Sequence, residues 1–183
     1  MSTIVRGSLL IADPFLKDPN FQRTVVLLCE HQQEGSMGFI LNRPVRQTLR
    51  ELVPSITQGE MPVGFGGPVQ LNSLHFIHHV PDLVDGALEL FDGIYWGGDF
   101  EKASYLVNAR KVSGSQIRFF CGYSGWSNGQ LEEEFKEKSW IISKASPDLI
   151  FDLSQERIWK EALNQMGSKF AMMANFPVDP TLN

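Results

Sequence analysis

The apolar positions of this chain fall in short blocks separated by turn residues. Gly7 to Ala12 reads as a first strand. Asp13-Pro14 and Asp18-Pro19-Asn20 then punctuate a loop, each Asp suited to accept a backbone N–H and each Pro fixing φ for a turn. The densest block follows, RTVVLLCEHQQEGSMGFILNRP from Arg23 to Pro44. Its two apolar runs, Thr24 to Cys29 and Met37 to Leu41, flank Glu30 to Ser36, which has the composition of a turn, so the block predicts a β-hairpin. Val25 to Leu28 are apolar consecutively, not alternately. Both faces of that strand therefore need cover, which places it inside a sheet. Glu30 and His31 leave the first strand, Asn42 and Arg43 leave the second, and Pro44 denies the second strand further ladder bonds.

Beyond Pro44, the spacing of Val45, Leu49, Leu52 and Val53 predicts one face of a helix stopped by Pro54, with residues 55 to 64 loose. Phe65-Gly66-Gly67-Pro68-Val69 is a backbone device whose simplest form is a tight turn. Leu74 to Val80 predicts a strand carrying His75, His78 and His79. Ala87 to Phe91 and Ile94 to Trp96, joined by Asp92-Gly93, predict a hairpin with a type I′ turn. Asp99 is placed to cap a helix through Val107. Ile117 to Tyr123 predicts an aromatic strand, and Ser124 to Gly129 a loop. A helix from about Gln130 to Lys138 should turn Leu131 and Phe135 inward and pair Glu132 with Lys136 and Glu134 with Lys138. Trp140 to Ser143 is a further strand. Ser154 caps a last helix bearing Ile158, Trp159, Ala162, Leu163 and Met166 on one face, ended by Gly167, and the tail to Pro177 and beyond should lie on the body.

Hairpins outnumber helical crossovers, and no repeat, linker or composition break divides the chain. These features predict an α+β fold: a single compact domain over 1–183, its curved, largely antiparallel sheet packed by three to four helices.

LIADPFLKDPNFQRTVVLLCEH followed by GSMGFILNRP resembles the opening signature of the YqgE/AlgH family of bacterial proteins. The resemblance continues in GGPVQ at Gly66 to Gln70, FFCGYSGWSNGQLEEE at Phe119 to Glu134, and NFPVDPTLN at Asn175 to Asn183, so it covers nearly the whole chain. It implies a compact, partly barrel-like β-structure with helices around it. One branch of the family carries a link to transcriptional control of exopolysaccharide synthesis, which implies a regulatory role.

Composition narrows the function classes. With 183 residues, 43% hydrophobic and 20% charged, the chain is long enough to bury roughly 70% of its unfolded surface. A net charge of −5 and the lack of clustered Lys and Arg argue against binding to nucleic acid through its phosphates. Cys29 and Cys121 sit in apolar runs and are too few for a disulfide framework, which suits a reducing cytoplasm. The run Leu9 to Ala12 is too short for a signal sequence, and no stretch approaches a membrane span.

The candidates for chemistry are weak as catalysts. On a strand His75 and His78 point to opposite faces, and neither Cys nor carboxylate joins them at zinc spacing. Cys29 and His31, two apart, offer a thiol–imidazole pair only if both leave the strand on one side. Gly122-Tyr123-Ser124-Gly125 has glycines two before and one after the serine, whereas a nucleophile elbow needs two and two. The resembled family typically carries Ala at the Ser124 position. Asp13, Asp18 and Asp99 have capping roles available, and Glu30 alone lacks one.

What the residues support is a binding site at element ends: Glu30, His31, Asn42, Arg43, Gly66, Gly67 and Trp126, with Arg43 offering a planar fork to an anion or pairing with Glu30 across the hairpin mouth. The leading expectation is a non-enzymatic binding or regulatory module in the cytoplasm, without cofactor or metal, acting on a small ligand or a protein partner. Exposed aromatics around Trp126 would suit such a partner. The alternative is a metal-dependent hydrolase or nuclease using Glu30 and nearby Asp residues. A DNA-binding regulator ranks below both.

Overall fold

The computed structural model describes residues 4–58, 60–151 and 154–177. Ten strands and six helices alternate among them: β1 (Ser8–Ala12), β2 (Val25–Gln32), β3 (Gly35–Ile40), β4 (Pro44–Thr48), α1 (Leu49–Leu52), β5 (Pro62–Phe65), β6 (Val69–His78), β7 (Leu88–Phe91), β8 (Ile94–Trp96), α2 (Phe100–Asn108), β9 (Ile117–Ser127), α3 (Gln130–Lys136), β10 (Trp140–Lys144), α4 (Pro147–Phe151), α5 (Gln155–Gln165) and α6 (Ser168–Met173). The strands form one curled half-barrel in the order β10-β1-β2-β3-β9-β6-β8-β7, with β5 beside β9 and β4 beside β5. Every pairing is antiparallel except β5 with β9.

The consecutive apolar run in β2 has the predicted consequence. Flanked by β1 and β3, it sends Val25, Leu27 and Cys29 into a core under α4 and α5, and Val26 and Leu28 into a second core that Trp126, Leu131 and Trp140 complete. The 3.6-residue spacing of Ile158, Trp159, Ala162 and Leu163 lays α5 on the first core. A third cluster, with Phe76, Phe119, Ala103, Leu106 and Val107, packs α2 on the far half of the sheet. Asp99 Oδ1 accepts from Lys102 N at 3.0 Å, as its capping position predicts, and Asp92 (φ 40) with Gly93 (φ 78) makes the β7–β8 turn.

Several segments depart from expectation. Pro44 opens β4 instead of a helix, and of the predicted helix only the single turn α1 forms. Pro44 and Thr48 pair with Gly64 and Pro62 on β5, so a strand ladder replaces the apolar helical face. That ladder also orders part of the stretch predicted loose. The predicted loop at Ser124 is the second half of β9, held straight by pairing with β3 from Gly38↔Ser124 to Gly35↔Ser127. Phe135 is exposed, and the helix pairs of α3 differ from those expected: Lys136 meets Glu133, Glu132 meets His31 at 3.7 Å, and Glu134 turns to two indoles. Beyond α5 the chain folds back through α6 and places Phe176 against Phe15, with ring centroids 5.6 Å apart. The tail after Pro177 lies outside the described residues.

Candidate functional site

The hairpin turn is only Gln33 and Glu34, so β2 extends to Gln32 and carries Glu30 and His31 within the ladder. A β-bulge between Leu28 and Glu30 inserts Cys29 as an extra residue. The consequence is chemical. Cys29 enters the first core, its thiol pushed well above its usual pKa by burial and then by the Glu30 carboxylate, whereas His31 is paired with Ser36 and accompanies Trp126 on the other face. A thiol–imidazole pair is not assembled.

Glu30 faces an open cleft of about 600 Å³ at the turn end of the hairpin. Gln32, Glu34 and Met37 from the hairpin, Val69 and His75 from β6, Trp96 from β8 and Tyr123 from β9 line it, with Gly125 and Trp126 at its edge. Five strands, β2, β3, β6, β8 and β9, converge there because β9 lies between β3 and β6, and β6 pairs with β8. The rings pack tilted or edge-on around the imidazole: His75 sits 5.1 Å from Phe39, 6.4 Å from Trp96 and 6.0 Å from Tyr123, centroid to centroid. Ser73 Oγ lies 2.9 Å from His75 Nε2, and burial lowers the pKa of this imidazole.

The predicted site residues divide. Glu30 lines the cleft, whereas Trp126 touches only its edge: its side chain lies with His31 on the other face and is buried, not the exposed aromatic expected, because its indole fills the second core and donates to Glu134 Oε2 at 2.9 Å. His31 stands on the opposite face, its Nδ1 2.8 Å from Ser36 Oγ. Asn42 and Arg43 lie at the other end of the hairpin: Asn42 Oδ1 accepts from Val25 N at 2.9 Å and its Nδ2 donates to Arg23 O at 2.8 Å, while Arg43 donates to Gln22 O. Glu30 is paired with Met37 near the turn, so the strand separates it from Arg43, and no ion pair joins them among the described residues. Gly66 and Gly67 line no part of the cleft. They press against β9, where a Cβ on Gly66 would stand 2.3 Å from Gly122 O and one on Gly67 2.2 Å from Tyr123 C. The Gly66 carbonyl accepts from Ile40 N at 2.9 Å and from the buried Ser124 Oγ at 3.0 Å. Ser124 is thereby a structural hydroxyl.

His78 is buried, with Nε2 3.1 Å from Gly97 O and Nδ1 accepting from Val80 N, while His79 Nε2 lies 2.8 Å from Ser115 O. Asp13 and Asp18 accept backbone N–H groups at Phe15 and Asn20. Among the described residues no three His, Cys, Asp or Glu side chains gather as metal ligands would, and no helix is long and apolar enough to cross a membrane.

Sequence reasoning missed Met37, Trp96 and Tyr123 as cleft residues, and treated His75 only as a rejected metal ligand. The one available signal was the aromatic density of β8 and β9. It also missed Arg118, which crosses the sheet to donate to Leu41 O at 2.7 Å and Ile150 O at 2.6 Å over the ring of Phe120; burial lowers its pKa to about 10.

These features define an α+β protein with a curled half-barrel sheet and an open, aromatic-walled cleft at one end of its central hairpin. The chain belongs to the AlgH-like family (DUF179), a family of unassigned function whose model matches residues 9–171. A UPF0301 protein of Chlorobium limicola is 47% identical over 177 residues, covering 97% of this chain and 95% of the relative, and one of Parabacteroides distasonis is 40% identical over 98% and 91%. The solution structure of AlgH from Pseudomonas aeruginosa superposes with a TM-score of 0.75 at 26% identity over 97% of this chain and 98% of that one. A crystal structure of a Corynebacterium diphtheriae protein gives 0.79 at 21% identity over 96% and 94%, a likeness of fold.

Proposed function

We propose that this chain is a non-catalytic binding protein with a regulatory role, acting through the cleft between the β2–β3 turn and strands β6, β8 and β9. The observation that carries the reading is the convergence of apolar and aromatic walls with a few polar groups around about 600 Å³, the size and lining of small-ligand sites. Apart from Glu34 in the β2–β3 turn, paired strands supply the walls, so little ordering is needed on binding. The two free cysteines, Cys29 buried and Cys121 half-buried, fit a reducing compartment such as the cytoplasm.

The test is a thermal-shift screen of the whole chain against a broad small-molecule panel, repeated on Tyr123→Ala. A ligand at about 100 times its Kd adds roughly 2.7 kcal/mol, or roughly 5 to 10 °C in a domain of this size. The reading expects a hit that Tyr123→Ala abolishes while retaining its fold by circular dichroism. A panel that gives only hits indifferent to Tyr123 would sink it.

A further inference from the structure

The charges around the cleft have one sign. Glu30 and Glu34 line it with the amide of Gln32, and no Lys or Arg does. Neither carboxylate takes part in an ion pair among the described residues. The one wall group among the described residues able to carry a positive charge is His75, and its burial favours the neutral ring. An anion in this space would instead face two carboxylates at short range.

The walls supply the complementary half of the recognition. The His75 imidazole lies 6.4 Å from Trp96 and 6.0 Å from Tyr123, and Phe39 packs against both His75 and Trp96. Aromatic faces carry a negative quadrupole that attracts cations, Trp and Tyr most strongly. Met37 and Val69 complete an apolar floor for carbon attached to the charged group. The bulge at Cys29 fixes Glu30 on this side of the sheet, so its carboxylate is built into the wall by the backbone.

We propose that the cleft binds an organic cation, an ammonium or guanidinium group seated against Trp96 and Tyr123 with Glu30 as its counter-ion. This rests on the cleft being the binding site and names the class of ligand it takes.

Isothermal titration of the whole chain tests it, with choline, spermidine and a short arginine-containing tripeptide as cationic probes, and with glucose and glycerol phosphate as neutral and anionic ones. The expected result is saturable binding of at least one cation, weakened about tenfold or more by Glu30→Gln and by Trp96→Leu, and weakened by added salt. Preference for the tripeptide over choline and spermidine would mean that the cation is presented on a polypeptide. Glu30 is half-exposed, so its variant keeps the test available should Trp96→Leu fold poorly. Cation affinity that Glu30→Gln leaves unchanged overturns the proposal. Binding of glucose or glycerol phosphate lost on Tyr123→Ala, with no cation bound, overturns the cationic class but keeps the cleft as a site. The absence of any ligand sensitive to a cleft variant overturns both.

Discussion

Trp126 Nε1 donates to Glu134 Oε2 at 2.9 Å, and the same oxygen accepts from Trp140 Nε1 at 2.8 Å. One carboxylate thereby ties the end of β9 and the start of β10 to α3, while Gln130 Nε2 donates to its other oxygen. Both indoles are buried. Glu134→Ala would leave two buried N–H donors without an acceptor, and a loss of about 2 to 4 kcal/mol in urea unfolding is expected. Glu134→Gln retains an acceptor oxygen and should lose less than half as much. Equal losses in the two variants would show that the charge of the carboxylate, not an acceptor oxygen as such, supplies the stability.

Arg118 joins the end of β3 to α4 through the Leu41 and Ile150 carbonyls. Arg118→Ala deprives both carbonyls of this donor and opens space beside Phe120, so a destabilisation of about 2 to 4 kcal/mol is expected from chemical denaturation. Arg118→Met keeps volume and removes a costly buried charge, and should fall closer to the parent. A parent-like midpoint for the Ala variant would refute the tether.

Gly67 lies against Tyr123 and Ser124 with no room for a methyl group: the nearest backbone atoms would stand 2.2 to 2.3 Å from its Cβ. Gly67→Ala must push β9 away from the chain between β5 and β6, with a cost of about 2 kcal/mol or more. Gly93→Ala meets nothing within 4 Å and serves as the comparison, its cost confined to the positive φ of 78°. Thermal melts of the two variants should separate clearly.

His75 and His78 both have pKa values lowered by burial from 6.5. The unfolded chain therefore takes up protons first as pH falls, and the contribution of these groups to stability is full above about pH 7 and declines as pH drops below 6.5. Melting temperatures from pH 8 to pH 5 should show this decline, and His75→Gln should flatten it. A slope unchanged by replacing His75 and His78 would assign it to other groups.

The Cys29 thiol is fully buried with a raised pKa, and Cys121 is half-buried with a smaller upward displacement. A thiol reagent at pH 8 should label Cys121 slowly and Cys29 only on unfolding. Rapid modification of Cys29 in the native chain would contradict its place in the core.

Segments whose residue pattern matches their own local geometry are legible in the sequence. The consecutive apolar run of β2, the Asp-Gly turn of β7–β8, the Asp99 cap and the apolar face of α5 each follow from short-range rules, and the α+β class follows from their order. Local rules fail where pairing decides the outcome. Val45 to Val53 has helical spacing, yet β5 draws Pro44 to Thr48 into a ladder, and Ser124 to Ser127 looks like a loop until β3 lies beside it.

The candidate site divides along the same line. Its polar residues are visible as a set gathered at the ends of the hairpin strands, but which end each occupies depends on a two-residue turn and a one-residue bulge. These put Glu30 on the cleft, His31 on the opposite face, and Arg43 far down the strand. The sequence by itself determined that β2 is internal and that the sheet is largely antiparallel. Only the tertiary structure decided that Met37, His75, Trp96 and Tyr123 share one cleft, because strand order brings together positions up to 86 residues apart, from Met37 to Tyr123, and no periodicity encodes contacts at that separation.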